Sequence, residues 1–181
     1  MSLKQWLANG WLKPHRTDAA ELANLLAIVD RDVADSTSPS LSDDWKFGIA
    51  YNAALKLCTM ALYAAGYMPE KSLAHYRTLL SVELTLGPHR KADAAYLDAC
   101  RAKRNHVEYD YVQGASGAEA AELLAFVREL RREVVEKLAQ TYPELAATKP
   151  PQSSPAAIPA PSVQPQSRGS RADAASAASA P

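Results

Sequence analysis

The chain has 181 residues, with 20 Lys and Arg against 20 Asp and Glu, so its formal net charge is zero. That balance excludes a polyanion-coating protein of the broadly basic kind, and any contact with nucleic acid has to be local. The length allows one domain of ordinary size plus an extra segment.

In chain order, a short helix is expected over Leu3 to Leu12, closed by Pro14. A longer helix begins at Thr17-Asp18, where Glu21 stands three residues after Asp18 as a capping-box partner. Leu22, Leu25, Leu26, Val29 and Val33 mark its inner face at helical spacing. A Ser- and Thr-rich loop, Ser36 to Ser40, separates it from a helix over about Ser42 to Ala65. The inner stripe there is Phe47, Tyr51, Ala54, Leu55, Cys58 and Leu62, with Gly66 as the stop and Pro69 beyond it.

A shorter helix is expected over Lys71 to Ser81, then a break at Gly87-Pro88, then a helix from Arg90 to about Tyr109. Gly114 and Gly117 mark a loop, and a last helix covers Ala118 to about Thr141 with Leu123, Val127, Leu130, Val134 and Leu138 inward. No stretch alternates apolar and polar residues with period two, so no sheet is expected. The fold class read from these elements is all-α, an up-and-down antiparallel helical bundle over residues 1–145. Residues 146–181 are rich in Pro, Ala and Ser with almost nothing to bury, which predicts a disordered tail.

Cys58 and Cys100 stand far apart in apolar helical patterns and read as buried free thiols. The four His and the carboxylates show no metal-ligand spacing, and there is no Gly-rich phosphate loop, so neither metal nor cofactor is expected. The first residues hold no apolar run of the signal-peptide kind, and no run of about 18 apolar residues occurs, so the expectation is a cytoplasmic protein with no membrane partner. Trp6, Trp11 and Trp45 read as packing anchors, with Trp6 and Trp11 the alternative cover of a dimer surface. His15 and His89 adjoin prolines and read as loop residues.

The dense chemical stretch is Arg101-Ala102-Lys103-Arg104-Asn105-His106-Val107-Glu108-Tyr109-Asp110-Tyr111. Leu97, Cys100, Arg104, Val107 and Tyr111 share one helical stripe, flanked by Arg101 and Glu108. An Arg on a core stripe needs a partner, because burying an unpaired charge is costly. Glu108, four residues on, is one candidate; alternatively Arg104 lines a cleft and meets an anion there, such as an RNA phosphate. Arg90, Lys91, Arg101 and Lys103 make the segment locally basic.

At these residues the chain resembles the HEPN superfamily, which consists of compact, usually dimeric helical bundles common in prokaryotic conflict systems. Active members carry Arg-x(4–6)-His, often Arg-Asn-x-x-x-His-x-Tyr, and cleave RNA without metal across the dimer. The resemblance implies that the Arg holds phosphate and the His assists attack by the ribose 2′-hydroxyl. Two registers fit. Arg101 and His106 satisfy Arg-x-x-x-x-His; alternatively Arg104-Asn105 matches Arg-Asn, Tyr109 takes the His position and Tyr111 the terminal Tyr. The second keeps more family positions and argues against catalysis, because a Tyr near pKa 10 exchanges protons poorly at neutral pH. Within the superfamily the chain is similar to a bacterial branch through Ala50-Tyr51-Asn52-Ala53-Ala54-Leu55, Gly66-Tyr67, His75-Tyr76-Arg77-Thr78 and the Arg101 to Asp110 stretch.

The candidate catalytic residues are therefore Arg101, Arg104, Asn105 and His106, with Lys103, Glu108, Tyr109, Tyr111 and His75 lining the cleft. Three functions follow from the resemblance. The first is an RNA-associated or partner-binding module with weak or no catalysis. The second is a metal-independent endoribonuclease, toxin-like and paired with an antitoxin-like protein. The third is a regulatory partner of a nucleotidyltransferase, with Tyr111 as a target of adenylylation. All three imply a homodimer.

Overall fold

The computed structural model describes residues 1–109 and 114–146, with side chains from 106 to 109 left out, so the expected tail lies outside the described residues except for Ala146. Helix dominates what is described. Helix α1 (Leu3–Ala8) opens with a full capping box between Ser2 and Gln5. It stops four residues short of the expected Leu12, because the chain turns at Gly10, φ +69°, into a strand.

That strand, β1 (Leu12–Pro14), pairs antiparallel with β2 (Tyr67–Pro69), with Leu12 opposite Pro69 and Pro14 opposite Tyr67. No sheet was expected, and the reason for this one is local. Lys13 and Met68 each precede a proline, which disfavours helical backbone and leaves them extended. A two-stranded ladder also tolerates proline, since each strand has an open edge. Bonds from His15 N to Gly66 O and from Glu70 N to Trp11 O lengthen the pairing. Beneath it Trp6, Leu12 and Leu62 form a small apolar cluster.

Helix α2 (Ala19–Asp35) is capped by Asp18, whose carboxylate accepts from Glu21 N at 2.8 Å. The reciprocal half of the expected capping box is diverted. Glu21 instead accepts from Thr17 Oγ1 at 2.7 Å and lies 2.8 Å from His15 Nε2. Helix α3 (Asp43–Ala64) starts at the Ser42 cap and carries Asp43 and Asp44 in its first turn, where acidic groups complement the helix dipole. Gly66 at φ +89° supplies the left-handed stop.

The expected Lys71–Ser81 helix is the shorter α4 (Ala74–Leu80), and a further short helix that was not expected, α5 (Val82–Leu86), follows it. A turn of 3-10 helix over Pro88–Arg90 leads into α6 (Lys91–Tyr109). Helix α7 (Gly117–Thr141) begins with a capping box between Ser116 and Glu119, and a final turn, α8 (Pro143–Ala146), reaches the expected domain edge.

Helix α3 is central. Its buried face runs Phe47, Ala50, Tyr51, Ala53, Ala54, Leu57, Cys58, Ala61 and Ala64, and the alanines let α2 and α7 approach closely from two sides. Helix α7 presents Leu123, Val127, Leu130, Val134 and Leu138, all buried. Of the expected α2 stripe, Leu22 and Val29 are buried while Leu25, Leu26 and Val33 pack at its margin. Cys58 and Cys100 are buried free thiols, and burial pushes them up to about 12 and about 11, which leaves them protonated and unreactive. Trp6 is buried edge-to-face with Trp11, but Trp45 is 67 % exposed and so is not the buried packing anchor that was expected. Among the described residues no helix is long and apolar enough to cross a membrane.

Candidate functional site

Helix α6 carries the dense stretch, and its core contacts set which side chains reach the site. Ala94, Leu97 and Cys100 are buried, which orients the helix. Arg101 and Arg104 then fall at the margin of that stripe and are half-buried, while Asn105 is exposed. The structure thus brings the two arginines to one face and leaves Asn105 off it. Lys103 belongs to another face: its Nζ donates to Glu119 Oε1 at 2.6 Å, tying α6 to the start of α7. That bond, followed by those from Ser116, holds the Glu119 carboxyl down to about 2.

Each arginine lies against a tyrosine. The Arg104 guanidinium carbon is 6.0 Å from the centroid of Tyr51, on α3, and that of Arg101 is 5.5 Å from Tyr76, on α4. At such distances a guanidinium is attracted to the negative face of the ring. Arg101 also donates from Nε to Asp98 at 2.7 Å, so part of its charge is balanced on its own helix.

His75 joins this group from α4. It lies at the surface, and its pKa is lowered by partial desolvation first and then by the charges of Arg104, Lys56 and Arg101. Three cations from two helices therefore act on one imidazole. Two residues before it, Leu73 adopts φ 54°, the one left-handed non-glycine among the described residues, and is 61 % exposed. In an NMR titration His75 should lose its proton at a midpoint below 6.5, and Arg104→Ala should move that midpoint upward. A wild-type midpoint at or above 6.5 would disprove this electrostatic description.

His106, Glu108 and Tyr109 continue α6, but their side chains lie outside the described residues, as does Tyr111 altogether. The pairing of Arg104 with Glu108, the choice between the two registers and the Tyr111 target all fall there.

A second polar centre was not foreseen. Arg90, read as one of the residues making the segment basic, is only 6 % exposed and is consumed by carboxylates. Its Nη1 donates to Asp93 at 2.7 Å, its Nε to Glu133 at 2.8 Å and its Nη2 to Glu129 at 2.9 Å and to Glu133. Its guanidinium also lies 5.9 Å from the Phe126 ring, and His89 Nε2 is 2.8 Å from Glu133. This network locks the start of α6 to α7 and offers no charge to a ligand. The Arg90-to-Asp93 spacing was legible in sequence; Glu129 and Glu133 were not, being a helix away.

Two further cross-links are structural. Asp32, buried on α2, accepts from Asn52 Nδ2 at 2.5 Å and Arg31 Nη2 at 2.7 Å. Arg131 on α7 forks onto Asp30 on α2 at 2.6 and 3.0 Å. Among the described residues no three His, Cys, Asp or Glu side chains converge as a metal-binding group. Compared with known proteins, the chain matches no family model, no curated protein and no solved structure.

Proposed function

We propose that this chain is a HEPN-like helical module that binds RNA through the phosphate backbone, using Arg101 and Arg104, without efficient turnover. One observation carries the reading. In a chain of zero net charge, Arg101 and Arg104 are braced on tyrosines of two other helices and share the field around His75 with Lys56. Forked, pre-oriented guanidinium groups suit phosphate oxygens better than a mobile ammonium does. The resemblance in the Arg101 to Asp110 stretch supports the family, and it implies a homodimer whose two copies of this face form one cleft.

The test is fluorescence anisotropy with a short, labelled, mixed-sequence single-stranded RNA in EDTA. Wild-type protein should bind. Arg101→Ala with Arg104→Ala should weaken binding at least tenfold and flatten the plot of log affinity against log salt by about 1.4, at about 0.7 per lost phosphate contact. Arg132→Ala, at an exposed site on α7, should change little beyond a general charge effect. RNA recovered intact fits the binding module. Metal-free cleavage abolished by His106→Ala would replace this reading with the ribonuclease. Light scattering tests the dimer, and a monomer at micromolar concentration would remove the shared cleft.

A further inference from the structure

A buried hydroxyl without a hydrogen-bond partner carries a desolvation cost that nothing offsets. Among the described residues two buried side-chain groups are in that condition, Trp6 Nε1 and Tyr51 Oη. Trp6 Nε1 belongs to the small apolar cluster with Leu12 and Leu62, where an indole is kept for its bulk. Tyr51 stands in a different setting. It is 2 % exposed, its ring lies under the Arg104 guanidinium, and its phenol group feels the charges of both Arg101 and Arg104. A phenylalanine would pack the same space and stack the same arginine, at no desolvation cost.

We propose that the Tyr51 hydroxyl is a third donor of the anion site, hydrogen-bonding a non-bridging phosphate oxygen of RNA held by Arg101 and Arg104. This rests on the RNA-binding reading above. Burial, against the smaller opposing effect of Arg101 and Arg104, pushes the phenol up to about 12. At neutral pH it is therefore an intact O–H and a donor. Arg104 is half-buried and long, and it covers the ring without RNA present. A swing of its guanidinium toward a phosphate uncovers the phenol edge. The hydroxyl then gains a charge-assisted bond in place of none. Tyr51 is on this account a neutral binding donor at the floor of the site, and the arginines supply the charge.

The test is Tyr51→Phe in the full chain, measured for unfolding in urea and for binding to the same labelled RNA. The expected result separates the two readouts. The unfolding midpoint stays or rises, because a hydroxyl that bonded nothing is gone. RNA affinity falls about tenfold, the scale of one hydrogen bond to a charged group. Unchanged affinity in Tyr51→Phe, beside a clear loss in Arg104→Ala, would overturn this inference and leave the RNA reading standing. A fall in both affinity and unfolding midpoint would overturn it too, since the hydroxyl would then be a structural donor. Wild-type protein that does not bind the RNA overturns both.

Discussion

Arg90→Ala is expected to lower folding stability by about 3 kcal/mol, the lower end of the range for removing one member of a buried ion pair. The cost arises because Arg90 serves several acceptors. Asp93 lies in the first turn of α6, just after the 3-10 turn that holds Arg90, while Glu129 and Glu133 project from α7, so the truncation leaves three carboxylates facing one another between α6 and α7. Glu133 decides the pH behaviour. Burial alone would raise its pKa, but the bonds from Arg90 and then His89 hold it below the ordinary carboxylate value. A carboxylate lowered in the folded state contributes stability above its unfolded pKa of about 4.3, and that contribution disappears as pH falls through the folded value. The wild-type chain should therefore lose stability on acidification in a window below about 4.3 that Arg90→Ala largely abolishes. Arg90→Lys keeps the charge but cannot fork onto separate carboxylates, and it should fall between the two. Urea unfolding at neutral pH and near pH 3 measures all of this, and equal midpoints for Arg90→Ala and wild type at neutral pH would show that the network contributes nothing net.

Leu130→Ala should cost a comparable amount, about 2–5 kcal/mol. Leu130 is fully buried in the face that α7 turns toward α3, between Val127 and Val134, which are also fully buried. The buried residues of α3 mix five alanines with longer side chains such as Leu57 and Met60, in a core already packed tightly. Collapse of the site would require the two helices to shift together, and α3 is also held by α2. A cavity should remain, placing the loss in the upper half of the range. Leu145→Ala, at a half-buried position on α8, should cost far less. A loss below 1 kcal/mol at Leu130 would mean that the α3–α7 contact is looser than its burial indicates.

Much of the helical frame was legible because its signals are local. The Ser42 cap, the Gly66 stop and the stripe from Leu123 to Leu138 each lie within one element, and an apolar period near 3.6 shows which side turns inward. The first helix was read too long for a related reason: Leu12 fits its apolar pattern, but Gly10 and the β1–β2 pairing claim it for a strand. That pairing joins segments distant in sequence, and two three-residue strands carry too little alternation to be seen in either alone.

For the candidate site the division is sharper. Residue types and spacing in α6 were enough to single out Arg101 and Arg104 and to put Arg104 near the core stripe, whereas His75 was named only through the resemblance of the His75 to Thr78 stretch. They could not tell which cations are already committed. Arg90 and Lys103 counted toward a basic segment, yet each meets carboxylates of α7, while Arg101 pairs with Asp98 on its own helix and lies on Tyr76 of α4, and Arg104 lies on Tyr51 of α3. Nor could they distinguish Tyr51 from any other residue of an apolar stripe. The helices and their inward faces thus followed from the sequence by itself, since backbone propensity and periodicity act over a few residues. The fate of each charge, and the unpartnered hydroxyl beneath Arg104, was decided only by the tertiary structure, because Coulomb attraction and desolvation depend on distance in space, which the order of residues along the chain does not encode.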